Sequence, residues 1–109
     1  MSEESTTLRF EIWRDGTLLR TAELSQKIIK VGKLPSSHLR LEDPEVSRIH
    51  AVIEQSSDGE VFIIDLGSSK GTEVNGKRVN KCKLESGDEI TLGGTKLIVT
   101  VDRPVVEPQ

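Results

Sequence analysis

Thr72-Glu73-Val74-Asn75-Gly76-Lys77-Arg78-Val79 is a pair of short strand-forming runs closed by an Asn-Gly dipeptide. Both central positions of a type I′ turn need positive φ, which Asn followed by Gly adopts with little strain, so the segment predicts a tight β-hairpin. The same grammar extends in both directions. Upstream, Ala51–Gln55 alternates in polarity, Ser56-Ser57-Asp58-Gly59 turns, and Val61–Asp65 returns. Downstream, Glu89–Leu92 and Lys96–Val101 flank Gly93-Gly94, a further hairpin signal, and Cys82 lies between Lys81 and Lys83 in another short strand. Near the start, Leu8-Arg9-Phe10-Glu11-Ile12 places Leu8, Phe10 and Ile12 on one face, Asp15-Gly16 turns, and Leu18–Leu24 comes back. Lys27–Val31 stops at Gly32, and Leu39–Leu41 is short. About ten short strands with a turn signal roughly every 8–12 residues predict an all-β fold, a sandwich or a barrel. No window carries a helical period, which excludes the parallel α/β folds and with them most nucleotide-binding architectures.

Composition narrows the functional classes. The chain has 109 residues, 34% apolar and 30% charged, and its 15 basic and 18 acidic residues leave a net charge of −3. One domain is expected, with a core but little room for an enclosed catalytic cleft. Phe10, Trp13 and Phe62 are the only aromatics, too few for a base-stacking platform, and the acidic balance argues against a nucleic-acid partner. No apolar run is long enough to insert in a membrane, and Met1–Thr7 lacks the basic start and apolar stretch of a signal peptide. The cytoplasm is the expected location. Cys82 has no cysteine to pair with and reads as a small buried apolar residue. Two isolated histidines and one cysteine do not make a metal site, and no cofactor is expected. The folded domain should span 8–101, between a loose segment over 1–7 and a linker-like tail over 102–109 that contains Pro104 and Pro108.

Three loops gather the chemistry: Gly32–His38, Glu42–His50 and Gly67–Thr72. They hold hydroxyls on Ser36, Ser37, Ser47, Ser68, Ser69 and Thr72, and cations on Lys33, Arg48 and Lys70. Hydroxyls, exposed N–H groups and cations are what a phosphate dianion binds.

Four segments together resemble the forkhead-associated (FHA) family. They are Gly32-Lys33; Ser47-Arg48-Ile49-His50; Asp65-Leu66-Gly67-Ser68-Ser69-Lys70-Gly71-Thr72-Glu73-Val74-Asn75-Gly76; and Leu84-Glu85-Ser86-Gly87-Asp88-Glu89-Ile90-Thr91-Leu92-Gly93. The resemblance covers about Leu8 to Val101 and implies an eleven-stranded FHA/SMAD-like sandwich with recognition loops at one end, reading phosphothreonine peptides.

On that resemblance Lys33, Ser47, Arg48, Ser69 and Lys70 form the phosphopeptide site. Ser47 supplies a hydroxyl and an N–H to the phosphate, Arg48 a further phosphate contact, and Ser69 the pocket for the threonine methyl. Lys33 stands where the family usually has Arg, and Lys70 where many members have Asn. Gly32, His50, Gly71 and Asn75 are implied as structural, with His50 bracing the serine-bearing loop and Asn75 tying recognition loops together. Asp65 and Asp88 read as loop-bracing acceptors, and His38 as an exposed loop residue. The partner implied is a phosphothreonine-bearing protein or peptide, a substrate of a Ser/Thr kinase, and catalysis by Ser47, His50 and Asp65 is not expected. A phosphate-independent interaction domain of the same fold is the competing reading, favoured by Lys33 and Lys70. The carboxylates of Glu42, Asp43 and Glu45 predict discrimination against acidic residues at the third position after the phosphothreonine.

Overall fold

The computed structural model describes residues 6–103. Eleven strands follow in chain order: β1 (Thr7–Arg14), β2 (Thr17–Leu24), β3 (Ile28–Gly32), β4 (Leu39–Arg40), β5 (Ala51–Gln55) and β6 (Val61–Asp65). Then come β7 (Thr72–Val74), β8 (Lys77–Val79), β9 (Lys81–Leu84), β10 (Glu89–Leu92) and β11 (Thr95–Asp102). They form two sheets, ordered β2-β1-β11-β10-β7-β8 and β4-β3-β5-β6-β9, as the all-β reading anticipates. Every pairing is antiparallel except β3 with β4, where Val31 stands opposite Leu39.

Alternation builds the core. Leu8, Phe10 and Ile12 of β1 point inward with Ile90 and Leu92 of β10 and Leu97 and Val99 of β11. From the other sheet come Ile29, Val31, Ala51, Ile53, Val61, Ile63 and Leu84, all at most 2% exposed. Each of these Leu, Ile, Val and Phe side chains contributes roughly 1.5–3 kcal/mol by leaving water. Cys82 is only half-buried, packed against the edge of this cluster because β9 is an outer strand, so the expectation of full burial is corrected.

The turns carry the anticipated geometry. Asn75 and Gly76 have φ of 53° and 84°, and Asp15 and Gly16 have 52° and 73°, so both hairpins have positive φ at both centres. Gly93 has φ of 59° while Gly94 is not positive, a pattern that fits a II′ turn.

Most of the segments expected to be loose, 1–7 and 102–109, lies outside the described residues. Within them, Thr6 is buried, and Thr7 pairs with Asp102 to extend the β1–β11 ladder. Among the described residues no helix is long and apolar enough to cross a membrane. Strand directions send the turns and loops at 15–16, 33–38, 41–50, 66–71 and 93–94 to one end of the sandwich. Those at 25–27, 56–60, 75–76 and 85–88 go to the other.

Candidate functional site

The five residues picked from three separated loops meet. Lys33, Ser47, Arg48, Ser69 and Lys70 line one concavity of about 400 Å³, with Pro44, Glu45 and Val46 completing its wall. Lys33 and Ser47 are half-buried, whereas Arg48, Ser69 and Lys70 are exposed.

Backbone bonds set the loops first. The Lys33 N–H donates to the Ser47 carbonyl and the Leu34 N–H to the Arg48 carbonyl, both at 3.2 Å. This approach is close enough that a Cβ on Gly32 would fall on the Arg48 carbonyl oxygen. Gly32 is therefore required by contact, since its φ is not positive.

Side chains then fasten one loop to the next. The Ser69 N–H donates to Ser47 Oγ at 3.1 Å, and the Ser47 N–H donates to His50 Nδ1 at 3.0 Å. Because Nδ1 accepts, the proton of the neutral ring sits on Nε2, which donates to the Gly71 carbonyl at 2.9 Å. Gly71, at φ 85°, donates its own N–H to Ser68 Oγ at 2.9 Å. Ser68 Oγ donates in turn to Asp65 Oδ1 at 2.6 Å. A continuous chain of hydrogen bonds thus runs from Ser69 through Ser47, His50, Gly71 and Ser68 to Asp65.

Asp65 anchors the far end. Its carboxylate also accepts from Thr72 Oγ1 at 2.7 Å and from the N–H groups of Gly67 and Ser68 at 2.9 and 3.0 Å. Burial pushes its carboxyl upward, but the bonds from Ser68, Thr72 and Gly67 outweigh that push and hold it below its ordinary value of 3.8. It stays ionised as a structural acceptor, as the sequence suggests.

Two implied roles change in detail. The Ser47 N–H is occupied by His50, so the residue offers its hydroxyl hydrogen rather than hydroxyl and amide together. The same contact bears on catalysis: the fully buried His50 ring meets the Ser47 amide and not its hydroxyl, so Nδ1 is not placed to take the hydroxyl proton. Asn75 braces a different pair of loops from those implied. Its Nδ2 donates to Asp88 Oδ1, and its Oδ1 accepts from the Glu89 N–H, both at 3.0 Å. These contacts tie the β7–β8 turn to the β9–β10 loop, at the end of the sandwich away from Ser47. Asp88 is a bracing acceptor there, also taking the Glu85 N–H at 2.7 Å. His38 is exposed, yet its Nδ1 caps the Lys30 N–H at 3.0 Å.

Asp43 is the residue whose role sequence reasoning missed. In sequence it is one of three carboxylates expected to face the peptide, but it is 4% exposed. Its Oδ1 accepts from the Glu45 N–H, and its Oδ2 from the Gly94 N–H and Thr95 Oγ1, each at 2.8 Å. It pins the Ser47-bearing loop to the β10–β11 turn. Burial raises its carboxyl and these bonds, with the Arg14 charge, more than reverse the rise. Of the three carboxylates only Glu45 lines the concavity.

The family model that matches is described as FHA domain, over residues 29–93. Among curated proteins, the oxoglutarate dehydrogenase inhibitor of Corynebacterium efficiens is 39% identical over 75 residues, 69% of this chain and 52% of that protein. The glycogen accumulation regulator GarA of Mycobacterium tuberculosis is 37% identical over 75 residues, 69% of this chain and 46% of its own length. The chain thus spans about half the length of these curated relatives. Among solved structures, an FHA domain described for phosphothreonine-dependent FHA interactions superposes with a TM-score of 0.76 at 30% identity, covering 94% of this chain and 99% of that one. The FhaA FHA domain, solved with the intracellular domain of Rv3910, gives 0.73 at 35% identity, covering 87% and 99%.

Proposed function

This chain belongs to the FHA-domain family, and on that premise we propose that it is a recognition module that binds phosphothreonine-bearing segments of partner proteins. The observation that carries the reading is the convergence of Lys33, Ser47, Arg48, Ser69 and Lys70 on one open concavity. Three cations around a fastened hydroxyl suit a dianion, and charge-assisted bonds there are roughly twice as strong as neutral ones. The phosphate would take the Ser47 hydroxyl hydrogen, the Arg48 guanidinium and the Lys33 ammonium. The Ser69 side chain would pack on the threonine methyl, and Lys70 would reach the peptide backbone from the rim. Because the loops are tied together before any ligand arrives, little ordering cost falls on binding.

The module acts by binding and not by catalysis, and works in the cytoplasm as part of a regulatory assembly. The partner is a protein phosphorylated by a Ser/Thr kinase. Lys33 and Lys70, together with an engaged Ser47 N–H, favour the second reading of a phosphate-independent contact with the same loops. Screening a phosphothreonine peptide library and its unphosphorylated counterpart separates the two. Selection from the phosphorylated library alone supports the first reading, and equal selection from both supports the second.

A further inference from the structure

The open flank of the sandwich carries a second concentration of positive charge that the concavity above does not use. β2 and β4 are the outer strands of their sheets and face each other along this flank. Arg14 at the end of β1, Arg20 of β2 and Arg40 of β4 line a pocket of about 380 Å³ floored by Ile12 and Leu41.

Backbone carbonyls hold these side chains more than carboxylates do. An Arg20 terminal nitrogen donates to the Arg40 carbonyl and bridges the two sheets. Arg40 Nε donates to the Lys33 carbonyl at 3.1 Å, and Arg14 donates to the Glu42 carbonyl at 2.9 Å. Carbonyls orient a guanidinium without neutralising it. Two carboxylates face the cluster: Glu42, 3.2 Å from Arg40 and 76% exposed, and Asp43, 3.9 Å from Arg14 and committed to Gly94 and Thr95. Among the described residues Arg14 Nε is buried without a hydrogen-bond partner. An incoming oxyanion has oriented guanidinium groups to meet, with the exposed Glu42 carboxylate to displace from Arg40.

We propose that Arg14, Arg20 and Arg40 form a second anion-binding site that takes a further oxyanion of the partner, a phosphoryl group or an acidic side chain. The two sites are neighbours. Lys33 lines the first pocket while its carbonyl holds Arg40 of the second, and the segment from Glu42 to Glu45 separates them. A partner chain crossing that segment reaches both. The identity of the partner rests on the function proposed above; the existence of the anion site does not.

The test follows the Arg14 Nε–H signal by NMR as inorganic phosphate is added at low salt to the chain, to Ser47→Ala and to Arg20→Gln. Arg20 is exposed on an outer strand, so its replacement keeps the core and confines amide changes to the neighbourhood of the Arg40 carbonyl that it meets. The expected result is an Arg14 shift that persists in Ser47→Ala and weakens roughly two- to fivefold in Arg20→Gln, while the Ser69 amide responds the opposite way. An Arg14 signal that stays still, or that loses its response in Ser47→Ala, overturns the site. A silent Ser69 amide beside a responding Arg14 counts against the first pocket alone. Phosphothreonine peptides carrying a second phosphoserine, or a glutamate, scanned along the flanks then distinguish the two sources. A gain in affinity that Arg20→Gln removes identifies the source, and no gain from either overturns the link to the partner.

Discussion

Replacing His50 with alanine should unfasten the recognition end while leaving the sheets intact. The ring is fully buried and joins two loops: it accepts the Ser47 N–H and donates to the Gly71 carbonyl. Alanine leaves both groups without a partner, and a buried polar group so stranded costs roughly 1–3 kcal/mol. Gly71 is buried and should lie toward the upper part of that range, whereas the half-buried Ser47 amide regains some water and lies near the lower. The sum is roughly 3 kcal/mol, before any contribution from the cavity left by the ring. At roughly 4–8 °C per kcal/mol for a domain of this size, Tm should fall by about 12–24 °C. Thermal melting by circular dichroism measures it, with Ser47→Ala as control. That control keeps the amide bonded to His50 and gives up only the exposed contact with the Ser69 N–H, so it should shift Tm by no more than a few degrees. A His50→Ala protein that melts with the wild type, or no lower than Ser47→Ala, would refute the bracing role and reopen a functional one for His50.

The carboxyls of Asp65 and Asp43 are held below 3.8 by their bonds when folded, so their contribution to stability is present above that value and is lost as pH falls through the lower folded values. Urea midpoints measured between neutral and acid pH should decline at the acid end, and Asp65→Asn should flatten that decline; an unchanged profile would contradict it. Lys33→Arg should tighten phosphopeptide binding roughly two- to fivefold, because a guanidinium pairs two phosphate oxygens where an ammonium acts as a point charge. Calorimetry reads this, and a weaker complex would show that Lys33 points elsewhere. With Asp43 buried and Glu42 outside the concavity, Glu45 is the one of the three carboxylates placed on its wall to discriminate against acidic residues at the third position after the phosphothreonine. Glu45→Lys should turn that preference toward acids in a peptide library, and enrichment of acids by the wild type would sink the idea.

Local chemistry made the hairpins and the inward face legible. Asn75-Gly76 and Asp15-Gly16 need positive φ, and no other element competes for that signal. Leu8, Phe10 and Ile12 alternate and are buried as alternation requires. The parallel pairing of β4 with β3 was not readable, since two residues carry no period and the partner lies across a loop. Asp43 was misread for a related reason. In sequence it belongs to an acidic run, and its burial depends on Gly94 and Thr95, 51 and 52 residues away. The family resemblance implies that His50 braces the serine-bearing loop, but which ring nitrogen meets which atom is set by the loop fold. Asn75 shows the reverse case: its turn was plain locally, while its partners Asp88 and Glu89 come from β10 and the loop before it. The arginine pocket on the open flank was invisible for the same reason, being assembled from β1, β2 and β4.

The most direct test of the phosphothreonine site is one calorimetric series: the chain and its Ser47→Ala variant, each titrated with a single phosphothreonine peptide and its unphosphorylated twin. Ser47 is chosen because it lines the concavity and its backbone bond to His50 survives the substitution. The phosphorylated peptide should bind the wild type, and Ser47→Ala should weaken it roughly tenfold or more, the equivalent of one charge-assisted bond of about 1.5–3 kcal/mol. The twin should bind neither protein measurably. Equal binding of the twin, or a Ser47→Ala affinity indistinguishable from wild type, would contradict a phosphothreonine site built on these loops.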